Sequence, residues 1–109
     1  MSWVIEYHKK AEKDLAVLNN TVSTRVIKAI LKVSQNPLPQ SEGGYGKPLG
    51  NKKSSKLAGC MKIKLKSIGI RVVYQLIRTD ATMKIIIISV RDNDEVYKEA
   101  EHRIKLNQR

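Results

Sequence analysis

Between Cys60 and Gln75, positively charged side chains recur at a spacing suited to phosphate chemistry. Residues alternate strictly from Cys60 to Lys66. An extended strand therefore puts Met61, Ile63 and Leu65 on one face and Lys62, Lys64 and Lys66 on the other. Ser67, Ile68 and Gly69 offer a tight reversal, and a second β-rich run, Ile70 to Ile77, brings Arg71 back beside the lysines. An apolar underside with these cations above it predicts a compact platform for a polyphosphate chain. Two lysines two apart on one strand face have bases ~7 Å apart. At that distance two ammonium ions repel by about 2 kcal/mol at an effective dielectric of ~20, or roughly 1.5 pKa units. Arg71 adds to the push. A lysine driven part of the way to neutrality can accept a proton, and neither histidine lies in this stretch to compete for that role.

The charge balance points the same way. The chain has 109 residues and a formal net charge of +11. From Gly43 to Thr79 it carries nine Lys or Arg residues and no Asp or Glu, while the acids sit mainly in the N-terminal third and after Thr79. A one-signed middle predicts an anionic partner held there, in preference to a merely solubilising surface. The single cysteine, Cys60, excludes an intramolecular disulfide framework and suits a reducing cytosol; it is read as a small strand hydrophobe. No apolar run approaches the ~20 residues of a membrane span, and the N-terminus reads as a strand entering a helix, not as a signal peptide. A cytoplasmic protein with no membrane partner is expected, in one domain over residues 1–109.

The elements that must position the cations follow from periodicity. Ser2 to His8 reads as a strand with Trp3, Ile5 and Tyr7 on one face. Lys9 to Leu18 reads as a helix on Ala11, Leu15 and Leu18. Asn19-Asn20 breaks it, Thr21 or Ser23 is placed to cap a second helix, and Val22, Val26, Ala29, Ile30 and Val33 form that helix's stripe to about Ser34. Together they make a helical hairpin, stopped at Asn36-Pro37. Residues 36–56 are rich in Pro, Gly and Ser and read as a basic loop holding Lys47, Lys52, Lys53 and Lys56. Three antiparallel strands follow, about Leu57 to Lys66, Ile70 to Ile77 and Met83 to Val90. A last helix, Asn93 to Ile104, is built on Val96, Ala100 and Ile104, and 105–109 form a flexible tail. The expected fold is α+β: an N-terminal strand, a helical hairpin, a three-stranded antiparallel meander and a C-terminal helix. The helices are expected on one face of the sheet and the cations on the open face. Trp3 and Tyr74 are read as core, and His8 and His102 as surface residues without metal-ligand spacing.

In this order the chain resembles the RelE toxins of the RelE/ParE superfamily. The resemblance rests on Lys62-Ile-Lys64-Leu-Lys-Ser-x-Gly-x-Arg71-Val-Val-Tyr-Gln, a β run ending Ile88-Ser89-Val90, and Arg91-Asp-Asn-Asp-Glu-Val-Tyr97. It covers essentially the whole chain. RelE-like sequences commonly carry Gly and a basic residue between that Val and the following Arg; here Val90 runs straight into Arg91. The resemblance implies a type II toxin that enters the A site of the small ribosomal subunit and cuts mRNA there by attack of the ribose 2′-oxygen, with no cofactor or metal. It also implies a RelB-like antitoxin partner, with operator DNA bound only through the toxin–antitoxin complex. Carried over, the site falls on Lys62, Lys64, Arg71, Arg91 and Tyr97.

That chemistry needs a base, an acid and cations around a pentavalent phosphorus. Either Lys62 or Lys64 can be the base, with Lys64 favoured; Lys62 and Arg71 then steady the phosphate. A guanidinium is a poor acid, so Arg91 is assigned to charge stabilisation. Tyr97 stacks on a base or packs in the core, since it lies one residue from the apolar stripe of its helix. Lys47, Lys52, Lys53, Lys56 and Lys66 are candidate RNA or ribosome contacts, or else solvated charge. Two alternatives share parts of this pattern: a ParE-like DNA gyrase inhibitor, and a non-catalytic ribosome- or RNA-binding inhibitor of translation.

Overall fold

A computed structural model describes residues 3–49, 57, 59–90 and 93–107. The elements are β1 (Val4–Tyr7), α1 (Lys9–Ala16), α2 (Asn20–Ser34), β2 (Lys47–Pro48), β3 (Cys60–Leu65), β4 (Ile70–Ile77), β5 (Thr82–Ser89) and α3 (Asn93–Asn107). The strands form one sheet in the order β1-β5-β4-β3-β2, with β1 parallel to β5 and the other neighbours antiparallel. The α+β class and the meander are as expected.

Several details differ from the sequence reading, each for a physical reason. Asn19, not Thr21 or Ser23, caps α2: its side chain accepts a hydrogen bond from the Val22 amide at 2.9 Å, the favoured geometry for an Asn at a helix entry. The loop before β3 contains a fifth strand, β2, which its Pro and Gly content concealed. The C-terminal helix continues to Asn107, taking in the first part of the expected tail; residues 108 and 109 lie outside the described residues. Lys52, Lys53, Lys56 and Arg91 lie outside the described residues.

The placement of the helices is the largest correction. The hairpin covers one sheet face as expected: Ala11, Val26, Ile30 and Val33 pack against Met61, Val72, Tyr74, Met83 and Ile85. The third helix packs on the other face, where Val96, Tyr97, Ala100 and Ile104 bury Cys60, Val73, Ile86 and Ile87. The reason is written in β5, whose run Ile85–Ile88 is apolar on both sides and so requires cover on both. The cation face is therefore shared with α3, not left wholly open.

Along β4 and β5 the pairing runs regularly from Ile77↔Thr82 to Tyr74↔Ile85, then resumes at Val73↔Ile87. Ile86 is thus the extra residue of a β-bulge, which puts Ile86 and Ile87 together in the α3-side core. β1 stops pairing at Tyr7↔Ile85, so among the described residues the outer edge of β5 beyond the bulge lacks a neighbouring strand. An ion pair takes its place. Arg103 Nη1 donates to the Ile86 carbonyl at 2.8 Å and to Asp14 Oδ2 at 2.6 Å, and Asp14 Oδ2 accepts from the Ile88 amide at 3.1 Å. Arg103 Nε also donates to Glu99 at 2.8 Å.

His8 is a buried residue, not a surface one, at 5% exposure. Its Nδ1 accepts from the Lys10 amide at 3.0 Å, capping α1, so Nε2 carries the proton and donates to the Arg103 carbonyl at 3.2 Å. Burial first, and then the positive charges of Lys84, Arg103 and Lys10, hold its pKa below the ordinary 6.5; the Arg103 carbonyl acts in the opposite direction. The unfolded chain thus binds a proton near 6.5 that the folded chain resists. Stability is complete above that pH and falls as pH drops through it toward the lower folded value. Thermal melts between pH 7.5 and pH 5 are expected to show this loss, and to show less of it in His8→Asn, which keeps the cap but cannot titrate. Equal slopes for the two proteins would remove His8 as the cause.

Candidate functional site

The register of the sheet decides which cations meet. Lys64 lies directly opposite Arg71, and Lys62 opposite Val73 on one side and Lys47 on the other. Directly opposed residues share a face, with Cβ atoms about 5 Å apart. Lys62 and Lys64 alternate with Met61, which faces the hairpin core. Arg71 likewise alternates with Val72. All four cations therefore stand on the α3 side, beyond the part of the sheet that α3 covers. Lys62, Lys64 and Arg71 remain half-exposed, and Lys47 and Lys66 are exposed. Lys64, Lys66, Gly69 and Arg71, with Leu65 and Ile70, line an open cleft of about 190 Å³ at the hairpin end of the sheet. Gly69 closes that hairpin at φ 66°, in the left-handed region that a glycine enters without strain.

The electrostatics favour one lysine as proton acceptor. The Lys62 ammonium beside it, then burial, then Arg71, Lys66 and Lys47 hold Lys64 below the ordinary lysine pKa. Among the described residues no carboxylate forms an ion pair with Lys62 or Lys64; Glu42, Glu6, Asp14 and Glu99 pair with Arg78, Lys84 and Arg103 instead. Lys62 and Lys64, two cations that no described carboxylate pairs with, suit an anion. Cys60 is unsuited to nucleophilic work, because burial pushes its thiol up to about 12. Among the described residues no group of three His, Cys, Asp or Glu could hold a metal ion, and no helix is long and apolar enough to cross a membrane.

The structure thus brings together Lys47, Lys62, Lys64, Lys66 and Arg71. It does not bring the Tyr97 ring to them as an exposed surface: Tyr97 is 5% exposed and packs in the core beneath α3. Of the two roles open to Tyr97, core packing is the one this conformation realises. Ser89 is a site neighbour that the sequence reading passed over, since the register sets it opposite Arg71. Only the bulge at Ile86 puts it there, and a run of four isoleucines gives no sign of a bulge.

A family model described as the ParE toxin of the type II toxin-antitoxin system, parDE, matches residues 5–97. The mRNA interferase toxin RelE of Escherichia coli (strain K12) is 31% identical over 104 residues, which cover 95% of this chain and 99% of that protein. The chain belongs to the RelE toxin family of the RelE/ParE superfamily. Its fold agrees with solved RelE structures. A mutant of the E. coli toxin RelE in the free state, with two arginines replaced by alanine, superposes at a TM-score of 0.73 and 29% identity, over 95% of this chain and 99% of that one. The toxin of the intact E. coli RelBE toxin–antitoxin complex gives a TM-score of 0.64 at 25% identity, over 84% and 99%.

Proposed function

We propose that this chain is the toxin of a type II toxin–antitoxin system, an endoribonuclease that cleaves mRNA in the A site of the small ribosomal subunit and so stops translation. The observation that carries the reading is the half-exposed Lys64–Arg71 cross-strand pair with Lys62 and Lys47 alongside, on the α3 side of the sheet. A gyrase inhibitor or a steric blocker has no need of a lysine held toward neutrality beside an arginine. In the reaction, Lys64 takes the proton of a ribose 2′-hydroxyl. The 2′-oxygen forms a bond to phosphorus, the bond from phosphorus to the 5′-oxygen breaks, and the 5′-oxygen takes a proton from water. The products are a 2′,3′-cyclic phosphate and a 5′-hydroxyl. Arg71 and Lys62 hold the phosphate charge as it grows in the transition state, with Arg91 assigned to the same task. Lys47 and Lys66, together with Lys52, Lys53 and Lys56, contact RNA backbone.

A RelB-like antitoxin is the partner this reading requires, in the cytoplasm, with operator DNA reached only through the toxin–antitoxin complex. Support for it comes from the relatives: the E. coli toxin is known in complex with its RelB antitoxin.

The test is incubation of the purified protein with ribosomes carrying a defined mRNA, with the fragment ends mapped chemically. A single A-site cut leaving a cyclic phosphate is expected. Binding to the ribosome should also weaken with salt: five phosphate contacts to single-stranded RNA give a slope of log K against log salt of about −3.5. Intact mRNA would overturn the reading. The match to the ParE family model keeps one other outcome in view, loss of gyrase supercoiling activity with no RNA cut. A salt response near zero would accompany that outcome.

A further inference from the structure

We infer that Ser89 is a further catalytic residue of the proposed cleavage, its hydroxyl donating a hydrogen bond to the leaving 5′-oxygen. The inference rests on the nuclease reading and adds to it a contact on the leaving-group side.

The geometry comes from the sheet. Lys64, Arg71 and Ser89 are consecutive partners on β3, β4 and β5, so their side chains stand in one row on one face. Arg71 is the middle of the row. Neighbouring strands are about 4.8 Å apart, which puts the backbones of Lys64 and Ser89 about 10 Å apart with Arg71 between them. A phosphodiester seated on Arg71 has Lys64 on one side of it and Ser89 on the other. In-line displacement sets the attacking and leaving oxygens on opposite sides of phosphorus. With Lys64 at the attacking oxygen, the group on the far side of Arg71 faces the leaving one.

The bulge is the second observation. If the β4–β5 register before the bulge had continued through Ile86, pairing it with Val73, Arg71 would face Ile88, and an apolar side chain would close the row. The extra residue advances β5 by one and turns Ile88 into the hairpin core, leaving Ser89 beside Arg71. Bulges next to sites commonly re-aim a side chain in this way. This one is pinned by Arg103 at the Ile86 carbonyl and Asp14 at the Ile88 amide. Ser89 is half-buried, so part of it is open to solvent and ligand.

In the step as written, the 2′ proton goes to Lys64 and the 5′-oxygen takes its proton from water. Ser89 keeps its own proton and stabilises the charge that builds as the bond to the 5′-oxygen breaks. The test uses the full chain on ribosomes programmed with mRNA whose scissile linkage carries either the natural 5′-oxygen or a bridging 5′-sulfur. A thiolate leaves without help from a donor. Ser89→Ala is expected to slow cleavage of the oxygen linkage on the order of 10²-fold, the usual loss for one such donor, and to cut the sulfur linkage at nearly the wild-type rate. Ser89→Thr, which keeps the hydroxyl and suits a strand, should retain most activity on both. Equal losses on the two linkages, or none on either, overturn the assignment. If the wild-type protein cuts neither RNA, the nuclease reading fails and takes Ser89 with it. If the wild type cuts and Ser89→Ala matches it, Ser89 alone is wrong.

Discussion

Lys64→Ala is expected to lower the rate of A-site cleavage by about 10²–10⁴-fold, the range typical of losing a positioned general base, with the melting temperature unchanged. The fold should not respond, because the side chain is half-exposed and joins neither core. The pH profile separates a base from a phosphate clamp. A base works deprotonated, so the rate should climb as pH rises through the pKa of Lys64, which its neighbours hold below the ordinary lysine value. Lys62→Met removes the largest of those influences. The climb should then move to higher pH, and the rate at neutral pH should fall for two reasons at once: fewer neutral Lys64 side chains and one fewer cation on the phosphate. Lys64→Arg keeps the charge but cannot deprotonate near neutral pH, so a base predicts an inactive variant. An active Lys64→Arg protein would show that Lys64 only holds phosphate.

The second large effect concerns stability. Arg103→Ala is expected to destabilise the protein by about 3–5 kcal/mol, the cost of stranding one partner of a buried ion pair. For a domain of this size that lowers the melting temperature by roughly 15–25 °C. The Arg103 side chain is 8% exposed and serves Asp14, Glu99 and the Ile86 carbonyl together. A useful control is the pair between Arg78 and Glu42. It too is bidentate, at 3.0 and 2.8 Å, but its side chains are 54% and 44% exposed. Water screens such a pair, so Arg78→Ala should cost far less than Arg103→Ala. Thermal or urea melts of the two variants decide the matter. A loss at Arg103 no larger than at Arg78 would mean the strand edge does not depend on the ion pair. Because the same contacts fix the bulge, Arg103→Ala should also impair cleavage, even at temperatures where the variant stays folded.

How much of this was legible in the sequence varied with the kind of signal. The platform was readable because Lys62-Ile63-Lys64-Leu65 has a period of two and a three-residue reversal returns Arg71 to its side. Both are local facts. The helical hairpin was readable from its stripes. The side taken by α3 was not, since a helix's periodicity shows which stripe it buries but not against which sheet face. The run Ile85–Ile88 held the hint, being apolar on both sides. Register beyond the bulge could not be read either, because four identical residues carry no phase, and so Ser89 went unnoticed. His8 and Arg103 are charged or polar residues buried by contacts 95 and 17 or more positions away in the chain. Arg103 did leave a trace: it lies seven residues after Val96, on the stripe otherwise made of Ala100 and Ile104.

The far border of the sheet has a consequence for behaviour at high concentration. β2 is two residues long, and one of them, Pro48, has no amide proton to offer. The other, Lys47, brings a charge to the rim. A second molecule seeking to extend the sheet along β2 finds almost no ladder to continue and a like charge on its own copy. Free protein, even when it accumulates without a binding partner, is on this account protected at that border from stacking into fibres.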